Sequence, residues 1–103
     1  MDFGLSPAVI ARLREVFARF PGVDKAVLYG SRAMGTHKTG SDIDLTLYGE
    51  KLTLEQLAVI ASELDDLLLP YTIDLSIFAS LNNADLCEHI SRVGKVFYKR
   101  ATK

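Results

Sequence analysis

Two carboxylates, Asp42 and Asp44, stand one residue apart at the head of an apolar run, ten residues after a Gly30-Ser31 pair. Successive side chains alternate faces along a strand, so Asp42 and Asp44 are expected to point the same way. Side-by-side carboxylates repel unless a cation lies between them. Hard divalent ions such as Mg²⁺ are held in this manner, with substrate phosphates completing the shell. The Gly30-Ser31 turn offers phosphate ligands, because glycine lets the backbone approach closely and the serine hydroxyl can donate. Together these residues predict a metal-assisted nucleotide site.

The surrounding elements are predicted to position that site as follows. Ser6-Pro7 reads as a helix start, and Val9, Ile10, Leu13, Val16, Phe17 and Phe20 recur at helical spacing until Pro21-Gly22. A strand over about 25–29 stops at Gly30, and a short helical turn through Arg32, Ala33 and Met34 follows. A second strand, 42–48, sets Ile43, Leu45 and Leu47 against Asp42, Asp44, Thr46 and Tyr48. Thr53 and Gln56 form a capping box for a helix ending near Pro70, with Leu54, Leu57, Ala58, Ala61, Leu64 and Leu68 as its buried stripe. The third strand, 71–78, carries Asp74 in mid-strand on its more polar face. Asn82 or Asn83 caps a third helix running to about Arg92, and Val96-Phe97-Tyr98 is a last extended piece. The order α-β-β-α-β-α with a terminal strand predicts an α/β (α+β) fold. Helices are expected on one face of a small mixed sheet and the carboxylates on the other.

The bulk properties narrow the function. The 103 residues suit a single domain, 1–103. Twelve basic and thirteen acidic residues give a net charge of −1, which argues against direct nucleic-acid binding through bulk charge. The single cysteine, Cys87, cannot form an internal disulfide. No signal peptide is evident, and no apolar run approaches the ~20 residues that cross a bilayer. The expectation is a cytoplasmic protein without a membrane partner.

Gly30-Ser31, ten residues and then Asp42-x-Asp44 resembles the signature of the polymerase-beta-like nucleotidyltransferase superfamily. The fuller string GSRAMGTHKTGSDIDL is similar to that of the minimal nucleotidyltransferases, often encoded beside a helical HEPN-domain protein. The resemblance spans roughly Val23 to Phe97. It implies the polymerase-beta-like fold, with Asp42, Asp44 and Asp74 as catalytic residues holding two Mg²⁺ ions. It further implies transfer of AMP from ATP to a tyrosine of a HEPN-domain toxin, a ribonuclease that this antitoxin silences. The residues add their own reason to expect a hetero-oligomer. Three helices and a few strands leave nothing to wall in the base, whereas a pocket normally buries most of its ligand.

Around this core, Gly30 and Ser31 are expected to bind nucleotide phosphates. Arg32 either pairs with a phosphate through its planar guanidinium or projects into water. Ser41 either orients the nucleotide or makes a structural hydrogen bond before the strand. His37 and Lys38 read as a solvated loop, Cys87 as packed, Asp65 and Asp66 as solvated, and His89 as a surface residue away from the motif. There is no Walker A loop, dinucleotide fingerprint or zinc cluster. Two other readings remain open. One is a catalytically idle module that neutralises a helical partner by covering it. The other is a small-molecule nucleotidyltransferase, for which the chain lacks the additional helical acceptor domain.

Overall fold

Helix α1, Pro7–Ala18, begins as its sequence dictates: the Ser6 hydroxyl accepts the Val9 N–H at 3.3 Å and Pro7 fills the first turn. Its buried residues are Ile10, Leu13, Val16 and Phe17. A computed structural model describes residues 3–101 of the chain. The remaining elements are β1 (Lys25–Tyr29), α2 (Ser31–Met34), β2 (Ile43–Tyr48), α3 (Leu54–Asp65), β3 (Ile73–Ile77), α4 (Ala84–Val93) and β4 (Lys95–Lys99). A single 3-10 turn, Phe78–Ser80, joins β3 to the segment before α4.

The sheet has the order β3-β2-β1-β4. Strand β1 runs antiparallel to both β2 and β4, whereas β2 and β3 are parallel, so the sheet is mixed. The terminal extended piece is thus a full partner of β1. On one face Ala26, Leu28, Ile43, Leu45 and Leu47 join Phe97 beneath α1 and α3, which contribute Leu13, Phe17, Ile60 and Leu64.

The other face differs from expectation. Helices α1 and α3 share one face as predicted, but α4 lies on the opposite, carboxylate-bearing face. There Ile90 and Leu86 pack with Val27, Tyr29, Tyr48 and Phe78. The physical reason is in β1, where four consecutive residues, Ala26 to Tyr29, are buried. A strand apolar on both faces must be covered on both. Helix α3 also differs in detail, ending at Asp65 rather than near Pro70. Leu54 and Leu68, assigned to its buried stripe, are 70% and 88% exposed, and Ile60 is the residue fully buried there.

Candidate functional site

The strand register brings the acidic residues together. Tyr29 pairs with Asp44 across β1 and β2, and Asp44 pairs with Asp74 across β2 and β3. Directly paired residues in neighbouring strands project to the same face, so Tyr29, Asp44 and Asp74 form one row. Asp42 sits just before β2, two residues from Asp44 and of the same parity. Asp44 is half-buried, while Asp42 and Asp74 are exposed.

Burial, then the charges of Asp74 and Asp42, push the Asp44 carboxyl above the ordinary carboxylate value. His89 and Arg32 oppose that rise. The Tyr29 hydroxyl is pushed up for parallel reasons: burial first, then Asp74 and Asp44, against a hydrogen bond with Ser76. Burial and like charge outweigh that opposition at Asp44, and a cation would relieve the repulsion.

The three carboxylates fit Mg²⁺ in donor chemistry, since hard oxygen ligands are what that ion takes. Among the described residues no three or more His, Cys, Asp or Glu side chains are grouped so that they could hold a metal ion by themselves. An open oxygen set is the pattern for Mg²⁺ sites that recruit substrate phosphates. The fit of Asp42, Asp44 and Asp74 to such a site is one of donor chemistry alone.

The Gly30-Ser31 turn abuts this row. Gly30 adopts φ +76° and ψ −157°, a conformation open almost only to glycine. A Cβ placed there would collide with an Asp44 carboxylate oxygen. Glycine is therefore required twice, by the backbone and by the close approach. The Gly30 carbonyl accepts the N–H groups of Ala33 and Met34 at 3.1 and 3.2 Å, starting α2 with Ser31 at its first position.

The Gly30 N–H is already engaged, donating to His89 Nε2 at 3.3 Å. Gly30 thus contributes an absence of side chain more than an open donor, and Ser31 is left to offer N–H and hydroxyl. His89, read from sequence as a surface residue away from the motif, is half-buried beside it, edge-on to Tyr29 with ring centroids 6.3 Å apart. The signal was there: Leu86 and His89 are three residues apart, hence neighbours on the helix face that meets the sheet. The same parity argument would have placed Tyr29 in the row.

Arg32 does not project into water, and its guanidinium is already engaged with backbone carbonyls. It is 3% exposed. Its Nε and Nη2 donate to the Ser41 carbonyl at 3.1 and 2.8 Å, and its Nη1 to the Phe3 carbonyl at 2.7 Å. The guanidinium also lies 5.0 Å from the Tyr71 ring centre. It is a strap inside the protein, fixing the loop that leads into Asp42. Ser41 takes the structural alternative: its hydroxyl accepts the Lys38 N–H at 2.8 Å and its own N–H donates to the Lys38 carbonyl at 3.0 Å. His37 is half-buried against Gly4, whereas Lys38 is exposed as a solvated loop predicts.

Comparison with known proteins agrees with this geometry. The family model described as polymerase beta, nucleotidyltransferase matches residues 11–103. A chain from a toxin–antitoxin crystal structure with AMP-PNP is 25% identical and superposes with a TM-score of 0.69 over 93% of this chain and 75% of that one. A chain from the complex of tri-AMPylated Shewanella oneidensis HEPN toxin with MNT antitoxin is 22% identical, with a TM-score of 0.60 over 90% and 68% of the two chains. A putative nucleotidyltransferase from Sulfolobus solfataricus is 18% identical, with a TM-score of 0.51 over 94% and 92%. The last two likenesses concern the fold. No curated protein matches.

Proposed function

The chain belongs to the polymerase beta nucleotidyltransferase family, and from that premise we propose that it transfers AMP from ATP to a tyrosine hydroxyl of a HEPN-domain toxin, acting as its antitoxin. The observation that carries this reading is the close approach of the Gly30-Ser31 turn to Asp44 in the carboxylate row, which would set a phosphate ligand beside a cation site at one corner of the sheet. The acceptor oxygen forms its bond to the α-phosphorus as the bond to pyrophosphate breaks.

Ser31 receives phosphate oxygens through its N–H and hydroxyl, with Gly30 leaving room for their approach. Asp42, Asp44 and Asp74 would hold two Mg²⁺ ions, whose chemistry is to neutralise charge on the phosphate oxygens. Asp74, exposed on edge strand β3, faces an incoming acceptor and its carboxylate takes up the hydroxyl proton. Arg32 acts at a distance, holding the loop through the Ser41 carbonyl. The AMP-PNP complex of one structural relative and the AMPylated toxin beside another support adenylate as the group moved.

The hetero-oligomer follows from the same site. Sheet, turn and α4 form a floor and one side, and nothing among the described elements encloses a base, so a partner chain completes the pocket. The deciding experiment mixes the protein, Mg²⁺ and a co-expressed helical neighbour with ATP labelled at the α- or the γ-phosphate. Label entering the neighbour from α-ATP alone is expected. Label from γ-ATP alone would mean phosphoryl transfer and overturn the mechanism. A stable complex without label from either would leave an idle binding module.

A further inference from the structure

The Gly30 N–H lies outside both regular bonding schemes around it. The β1–β2 pairing ends at Tyr29 and Asp44, and helical bonding begins with the N–H groups of Ala33 and Met34. The acceptor it finds is a ring nitrogen of His89 on another element, α4, 59 positions further along the chain. Because a backbone amide can only donate, His89 Nε2 must be the unprotonated nitrogen, and the ring proton belongs on Nδ1. The geometry therefore dictates a tautomer.

That contact holds the Tyr29–Gly30 peptide, which enters the turn, while the next peptide is held through the Gly30 carbonyl by the N–H groups of Ala33 and Met34. With φ at +76°, Gly30 has no steric wall of its own to fix its orientation. Rotation of the Tyr29–Gly30 peptide would change the Gly30 φ and so swing Ser31, the first residue of α2, relative to the carboxylate row.

We infer that His89 is a positioning residue for nucleotide binding, its neutral Nε2 anchoring the Gly30 peptide so that Ser31 presents its donors to the phosphates. The inference rests on the nucleotidyltransferase reading and adds a residue from α4 to it. The competing role is packing alone, because His89 also meets Tyr29 edge-on at an interplanar angle of 83°.

Two substitutions separate these roles. His89→Gln keeps an acceptor and discards the ring, whereas His89→Phe keeps a ring against Tyr29 and discards the acceptor. Exchange of the Gly30 amide with solvent deuterium is followed by NMR, alongside the ring-nitrogen shifts of His89 and AMP-PNP binding with Mg²⁺. We expect an Nδ1–H tautomer, a protected Gly30 amide in wild type and His89→Gln, and a fast-exchanging one in His89→Phe. Loss of one hydrogen bond's worth of ordering should weaken AMP-PNP about 5- to 10-fold in His89→Phe and less than about twofold in His89→Gln. In turnover the loss should fall on KM more than on kcat.

A protonated Nε2 would overturn the inference, as would His89→Phe exchanging and binding like wild type. Equal losses in both variants would assign the residue to packing. A wild-type protein that ignores AMP-PNP would remove the functional reading and this role with it. The Gly30 protection data would then show the contact to be architectural only.

Discussion

Two adjacent rows of the same three strands make opposite demands on the molecule. Leu28, Leu45 and Leu75 pair across β1, β2 and β3, and one residue along each strand Tyr29, Asp44 and Asp74 do the same. The leucine row faces α1 and α3, where Leu28 and Leu45 are fully buried. The other row is half open, and burial, then the charges of Asp74 and Asp42, push the Asp44 carboxyl up. One row holds the fold together; the other is electrostatically strained and is expected to act. Substitutions in the two rows should therefore separate stability from activity.

The largest effect is expected from Asp44→Asn. Removing one carboxylate of a cation site that stabilises phosphate charge by several kcal/mol should slow nucleotidyl transfer by about a thousandfold or more. Thermal unfolding should show no loss of stability, because the amide relieves repulsion from Asp74 and Asp42. A variant that transfers label at the wild-type rate would break the comparison at its active end. Leu45→Ala tests the other end. Truncating a fully buried leucine should cost about 3 kcal/mol, lowering the melting midpoint by roughly 10 to 20 °C in a domain of this size. The folded fraction should retain its turnover.

Gly30→Ala falls between the rows. A backbone conformation nearly exclusive to glycine costs about 1–3 kcal/mol when forced on another residue, and here the new methyl also meets the Asp44 carboxylate. Both stability and transfer should fall, a combination neither row gives alone. Urea unfolding beside the label assay checks it.

The row also predicts a direction with pH. The Asp44 carboxyl is raised in the folded chain above its ordinary value of 3.8, so the folded state binds more protons than the unfolded state just above that value. Stability contributed by this group is then full at low pH and declines as pH rises through the folded value. Asp44→Asn should equal wild type near the acid end and exceed it at neutral pH, measured by urea midpoints without Mg²⁺. A wild-type advantage at neutral pH would reverse the assignment of strain to this row.

What the sequence made legible follows the same division. Asp42, Asp44, Gly30 and the alternation of β2 could be read directly, because a period of two fixes which residues share a face. Which helix covered which face was less legible, since it depends on pairing between distant elements. The clue in β1, an unbroken apolar run, says that both faces are covered but not by what. His89 was missed for that reason. Leu68 was misplaced because helical periodicity continues in the sequence past Asp65, whereas the chain leaves the helix and turns with φ +54° at Leu68. Arg32 was legible only as a phosphate ligand or a solvated side chain, because the two backbone carbonyls that engage it are brought near only by the fold.

Arg32 yields the finest test of the comparison, since it touches neither row and serves one of them. Lysine at this position keeps the positive charge but cannot reproduce a planar fork bonded to the Ser41 and Phe3 carbonyls. If the residue acts as a strap, Arg32→Lys should lose about 1–2 kcal/mol of stability, the worth of those bonds. Its nucleotide affinity should change only as far as the Asp42 loop loosens. Were Arg32 instead a phosphate ligand, the result would invert, with stability intact and affinity reduced. Paired measurements of the urea midpoint and AMP-PNP binding distinguish the two outcomes. The strap is favoured because an arginine 3% exposed, with Nε, Nη1 and Nη2 all donating to carbonyls, would have to break those bonds before reaching a ligand.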